Sequence, residues 1–247
     1  MMRVWVRVAC LSFCLLGVAV PASAQVVHSV TFGAGIFWPR GFDQRVEGDV
    51  LVADLTQPEV FPGATASLDF KISDFRAYPI FGEWNIAFND HVEVSIGVAY
   101  QNKKVDSRYL DLVNTELGDS DILQELRLKM LPISGTVKYV FGQPGGFQPY
   151  VGGGLSVVKF EYTETGDFVD PSTLDIFNEK FTADGFTVGA LILGGVRIPL
   201  GGDVYGLQIE GRYLFGSGDT GGSEAGFLGD KIDLSGGSLN FGFLIRF

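Results

Sequence analysis

Apolar and polar residues alternate with period two along most of the chain beyond residue 25, as expected for strands with one apolar and one polar face. In Ser29–Trp38 the residues Val30, Phe32, Ala34, Ile36 and Trp38 share a face. Tyr78–Phe88 sets Tyr78, Ile80, Trp84, Ile86 and Phe88 against Glu83 and Asn85. His91–Gln101 sets Val92, Val94, Ile96, Val98 and Tyr100 against Glu93, Ser95 and Gln101. Tyr205–Phe215 opposes Tyr205, Leu207, Ile209, Tyr213 and Phe215 to Gln208, Glu210 and Arg212. The last run alternates Leu239, Phe241, Phe243, Ile245 and Phe247 with Ser238, Asn240, Gly242, Leu244 and Arg246.

Three further runs are less regular. Ile122–Phe141 begins with Leu126, Leu128 and Met130 on its apolar face, then passes that role to Leu131, Ile133, Val137 and Tyr139. The phase change beside Pro132 predicts a β-bulge, because one inserted residue re-aims everything after it. Gln148–Tyr162 is glycine-rich, with Lys159 and Glu161 opposite Val158, Phe160 and Tyr162. Ala183–Leu200 sets Phe186, Val188, Ile192, Val196 and Ile198 against Thr187 and Arg197. These runs predict eight strands.

The connections alternate in length. Asn89-Asp90, Gln143–Gly146 and Gly201-Gly202 are tight turns in residues that favour them. Between them lie long polar stretches at 39–77, 103–121, 163–182 and 216–231. Thr65–Phe75 also alternates, so the second strand is expected to begin there. Asp170-Pro171 has the residue types of a helix start. Short turns at one rim and long loops at the other are typical of outer-membrane barrels, whose long loops face outward. An even strand count then leaves both termini in the periplasm.

The N-terminus reads as an export leader over residues 1–24. Arg3 and Arg7 precede the apolar run Val8–Val20, and Ala22-Ser23-Ala24 offers a cleavage site between Ala24 and Gln25. That run is short for a helix crossing roughly 30 Å of hydrocarbon, and residues 25–247 form the expected barrel domain. Both cysteines, Cys10 and Cys14, fall in the leader, so no disulfide supports the mature chain. A formal charge of −11 argues against nucleic acid as a partner. The 34 glycines and 21 phenylalanines fit neither a disordered nor a helical chain.

Periodicity alone does not say which face points outward, since a soluble lipocalin-like barrel has the same strand count. Loop asymmetry, the lack of cysteine, the closing Phe247 and aromatics near strand ends favour a closed antiparallel up-and-down transmembrane barrel. The aromatics are Trp38, Tyr78, Phe88, Tyr100, Tyr139, Tyr150, Tyr162, Tyr213 and Phe247.

Leu239–Phe247 resembles the C-terminal sorting strand of outer-membrane proteins, with Phe241, Phe243, Ile245 and Phe247 on the lipid face. The resemblance implies recognition by the barrel-assembly machinery. Pro149–Leu155 is similar to a strand start common in small barrels of the OmpA/OmpW-like superfamily. Full-length OmpA continues into a peptidoglycan-binding domain, which is not expected here.

With the Phe247 face toward lipid, charged residues opposite it face the lumen. Glu83, Glu93, Lys159, Glu161, Arg197, Glu210, Arg212 and Arg246 are assigned there, with Arg127 and Lys138 added by the bulge. An eight-stranded barrel is just wide enough for side chains to fill, so these charges are expected to pair as a plug or to gate a narrow pore. Leu191, Leu193, Leu214 and Leu244 on the same face leave room for an apolar trough. The long loops hold most of the acidic residues but lack the spacing of a calcium loop, so no metal site is assigned. His28 and His91, the only histidines, map to the short-turn rim without the base and nucleophile arrangement of a hydrolase. Gly152–Gly154 lacks the lysine of a phosphate loop, and no cofactor is expected. The expectation is a non-enzymatic outer-membrane barrel with a structural role or limited passage of small solutes. Its partners are outer-membrane lipid and lipopolysaccharide. The alternatives are an extracellular ligand at the acidic loops, or an OmpW-like channel for small apolar molecules.

Overall fold

The computed structural model describes residues 26–143, 145–170 and 172–247. Arg3, Arg7, Cys10, Cys14, Ala24, Gln25 and Pro171 lie outside the described residues. Eight antiparallel strands close into a barrel, each pairing with the next and the last with the first. They are β1 (Val27–Pro39), β2 (Ile80–Ala87), β3 (Val92–Asn114) and β4 (Ser120–Val140). The remaining four are β5 (Gln148–Val169), β6 (Ile176–Pro199), β7 (Tyr205–Phe215) and β8 (Gly236–Arg246). Within the barrel, closure pairs every strand on both sides.

All four long connections lie at one rim, but two of them are built mainly as strand. β3 and β4 continue to a short turn at 115–119, and β5 and β6 to one at 170–175. The result is a four-stranded wall rising on one side of the barrel. Among the described residues of its second hairpin, Ser172 and Thr173 form a turn, their N–H groups donating to Asp170 Oδ1, where the sequence predicts a short helix starting at Asp170-Pro171.

No bulge occurs at Pro132. The β4–β5 register runs unbroken from Gln124 to Val140, and the β3–β4 pairs on either side of Pro132 keep one register. The even-numbered side chains of β4 point inward throughout. What changes is the outside. The row Asn102–Lys129–Glu161–Asp184, formed by direct register partners, marks where outward residues on β3–β6 turn from apolar to polar. On the barrel side of it lies Val98–Ile133–Val157–Val188, all exposed. Inward residues invert in the opposite sense, from Glu93, Ser95, Thr136 and Lys138 to Val105, Leu126, Leu128, Phe160 and Tyr162. Below the row the strands carry an outward apolar belt around a polar interior. Above it they behave as a soluble sheet with one buried apolar face.

The first and last long loops cover that apolar face. A short helix, α1 (Val50–Leu55), is capped by the Asp49 side chain, which accepts from Val52 N–H. Residues 66–70 then run extended beside β3, with Leu68 opposite Tyr109. The alternation in Thr65–Phe75 thus belongs to a strap along the track of β2, cut off from β2 itself by a 3-10 turn at Ile72–Phe75. Val50, Leu51, Leu68, Phe75, Phe227, Ile232 and Leu234 from the two loops pack against Val105, Leu126, Met130, Val158, Phe160 and Tyr162 of the wall. This core caps the barrel.

The belt boundary has a direct test. Ile96→Arg, in the middle of the outward run Val92–Tyr100, is expected to cost about 2–4 kcal/mol of folding stability in lipid vesicles. Asn102→Arg, two residues beyond Tyr100, is expected to cost less than about 1 kcal/mol. Urea titrations of both variants against the parent chain check this.

Candidate functional site

Within the belt, inward positions on six adjacent strands bring three carboxylates and three cations together. β2 supplies Glu83 and Asn85, β3 Glu93, β4 Lys138, β5 Tyr150, β6 Arg197, and β7 Gln208, Glu210 and Arg212. Lys138 is the hub. Its fully buried ammonium bonds Glu83 and lies 3.8 Å from Glu93 and 3.7 Å from Glu210. Each carboxylate also meets an arginine. Arg197 donates to both oxygens of Glu93 at 2.6 and 2.7 Å, and Arg212 bridges Glu83 and Glu210. The formal charges of these six groups cancel, as a buried cluster requires.

Neutral groups complete the network. Lys138 also donates to Asn85 Oδ1 at 3.1 Å, and Arg197 to Gln208 Oε1 at 3.1 Å. The Tyr150 hydroxyl donates to Glu210 Oε2 at 2.9 Å. That bond spans a strand, because Tyr150 and Glu210 are both register partners of Gly195. A Cβ at Gly195 would fall 2.6 Å from the Tyr150 oxygen, so only glycine lets the ring lie across. The Arg197 guanidinium sits over the same ring, 5.0 Å from its centroid.

Six of the ten charged residues assigned to the lumen therefore meet: Glu83, Glu93, Lys138, Arg197, Glu210 and Arg212. Arg246 faces inward at the short-turn rim and donates to Gln148 Oε1 at 3.0 Å, outside the cluster. Arg127, Lys159 and Glu161 are not lumenal. They point outward where the wall leaves the belt, Arg127 donating to Asn102 and Glu161 pairing with Lys129 at 2.6 Å. The sequence reading assumed that polar always means inside, whereas the solvent outside the strand changes along its length. Tyr150 was missed for a related reason. Its place near a strand end suggests an outward aromatic, as does that of Tyr162, yet both side chains face inward and are buried. Asn85 and Gln208 lie on the polar faces of their strands, but without a charge nothing in the alternation marks them as members of the cluster.

Phe241 and Phe247 are exposed on the outer face with Phe243 and Ile245 beside them, as the sorting-strand resemblance implies. His28 stacks on Trp84 and Phe247, and His91 on Tyr139, both at the short-turn rim. Between the ion cluster and the loop cap lies a cavity of about 80 Å³. Phe37, Phe81, Met130, Leu191 and Leu214 line it, with Arg212 at its polar end. Of the predicted trough, Leu191 and Leu214 thus face the cavity, while Leu193 packs with Val140 and Tyr150. A larger open cleft of about 800 Å³ between the two hairpin tips is lined by Asp111, Glu116, Asp167 and Asp175 and by Leu112, Ile122, Leu174 and Ile176. Among the described residues no group of three His, Cys, Asp or Glu side chains is placed to hold a metal ion.

Removing the hub should expose its role. Lys138→Met leaves three buried carboxylates facing two guanidinium groups and is expected to cost about 3–5 kcal/mol. Adding Glu83→Gln to that variant is expected to recover a large part of the loss. Equilibrium unfolding in micelles, followed by tryptophan fluorescence, measures both.

A search of curated proteins returns no match. Among solved structures, the outer membrane protein OprG from Pseudomonas aeruginosa is 16% identical with a TM-score of 0.47, over 90% of this chain and 95% of that one. Neisserial surface protein A is 11% identical with a TM-score of 0.46, over 90% and 99%. Ail, the attachment invasion locus protein of Yersinia pestis, solved with the heparin analogue sucrose octasulfate, is 11% identical with a TM-score of 0.43, over 90% and 99%. The family model described as outer membrane protein beta-barrel domain matches residues 10–247, and the chain belongs to that family.

Proposed function

We propose that this protein is a sealed, non-enzymatic barrel serving the integrity of the outer membrane. The observation that carries the reading is double closure. A charge-balanced cluster fills the lumen within the belt, and an apolar loop cap closes the wall above it. An eight-stranded interior has little room for a water path beside such side chains. On this reading residues 1–24 direct export and are removed, the short-turn rim and both termini face the periplasm, and the cap lies outside. The barrel-assembly machinery would take the Phe247 strand, and lipid and lipopolysaccharide would surround the belt.

The cleft at the hairpin tips favours a second reading, surface recognition. Its four carboxylates and apolar floor suit a cationic, partly apolar partner rather than an anionic one. The cavity of about 80 Å³ beneath the cap favours passage of a small apolar molecule, but the ion cluster lies between it and the short-turn rim.

Single-channel recording in planar bilayers separates these readings. The sealed barrel is expected to give no steady conductance at either polarity. Steady conductance would overturn it.

A further inference from the structure

Glu164 occupies a place in the cap where an apolar residue would be expected. It points inward from β5 in the register row Val105–Leu126–Glu164–Phe181, and its side chain is buried. Across from it, α1 of the first loop presents Asp54, also buried. The Tyr162 hydroxyl, two residues from Glu164 on the same inward face of β5, donates to Asp54 Oδ2 at 3.5 Å, so the two buried acids share one pocket between loop and wall. Two carboxylates can only accept, so they can bond one another only while one of them carries a proton.

Among the described residues, neither carboxyl is paired with a lysine or an arginine. The groups acting on Glu164 are Asp54 and the Tyr162 hydroxyl, which donates to Asp54 Oδ2 at 3.5 Å. From β3 the cluster faces Tyr109, whose hydroxyl accepts from Val169 N–H, and from β4 it faces Gln124. From the first loop it faces Asp49, already held by Arg45 at 2.5 Å and by the Asp233 N–H. Glu164 Oε1 is buried without a hydrogen-bond partner.

We infer that Asp54 and Glu164 form a proton-dependent latch that holds the first loop against the wall and releases it as the pH rises. The latch rests on the cap of the proposed sealed barrel and not on its ion cluster, which keeps the lumen filled when the loop is released. Desolvation pushes the Glu164 carboxyl up to about 7 and holds that of Asp54 well above its ordinary value. The docked loop therefore binds protons more tightly than the released one. Docking is strongest when both groups are protonated. It weakens from the ordinary carboxylate range up through about pH 7, and further as Asp54 ionises. Each proton lost shifts the equilibrium by up to about tenfold per pH unit.

Hydrogen exchange of the refolded full chain tests this, read as protection factors corrected for the intrinsic pH dependence of amide exchange. The reporters are Leu68 N–H, bonded to the Asp54 carbonyl at 2.8 Å, and Asp69 N–H, bonded to the Arg108 carbonyl at 2.8 Å. Their protection is expected to fall at least about tenfold between pH 6 and pH 9, while amides of β3 around Ile96 keep theirs. Glu164→Gln and Asp54→Asn should each flatten that fall, with heat-modifiable gel migration confirming a folded barrel. Constant protection in the parent chain would overturn the latch. So would an undiminished fall in whichever of the two variants folds.

Discussion

An eight-stranded barrel encloses a space that its own side chains fill, and this lack of internal volume governs the rest of the molecule. A wide barrel can leave inward charges to water. Here Lys138 has no water to face and instead meets three carboxylates within 3.8 Å. Once those carboxylates are inside, two arginines must join them, and each arginine must be aimed. The glycine at 195 follows from the same constraint, since it clears the path by which Tyr150 reaches Glu210. A residue with no side chain is thus as much a part of the cluster as its charges are.

The second consequence is the inversion along the wall. A strand has two faces and the barrel has two environments along its axis, so four arrangements of side chains are possible. Lipid outside requires an apolar outer face, and the narrow interior then takes the polar residues. Where water replaces lipid beyond Asn102, Lys129, Glu161 and Asp184, the faces exchange roles and the interior becomes an apolar surface that must be covered. The first and last loops are long because they supply that cover, with Val50, Leu51, Phe227 and Ile232 fully or almost fully buried.

This inversion also explains what could and could not be read from the sequence. Regular alternation in β1, β2, β7 and β8 gave the strands, their outward faces and the inward Glu83, Glu210 and Arg212, because these strands stay within the belt. β4 carried the same period but changed its apolar face at Pro132. A bulge and a change of outer solvent produce an identical local pattern. Only the pairing of Lys129 with Asn102 and Glu161 distinguishes them, and pairing is not visible in one strand. The same ambiguity sent Arg127, Lys159 and Glu161 to the lumen. Glu164 was invisible for another reason. In a polar stretch of Thr, Glu, Gly and Asp it reads as loop, and its burial depends on a helix more than a hundred residues earlier in the chain.

The two closures differ in kind, and the difference bears on how the molecule can move. The lumen cluster is internally balanced, and each of its members has a partner of opposite charge, so displacing one strands another. The cap combines apolar packing, which is non-directional and tolerates partial opening, with polar contacts such as Arg45–Asp49 that have partners of opposite charge. At Asp54 and Glu164, by contrast, two acids face each other. An apolar pair of similar size at those positions would bind the loop at every pH, without the cost of burying polar groups. Two acids bind it only in the company of a proton. Stability alone therefore does not account for carboxyl groups at the centre of this core, whereas reversible docking of the loop does.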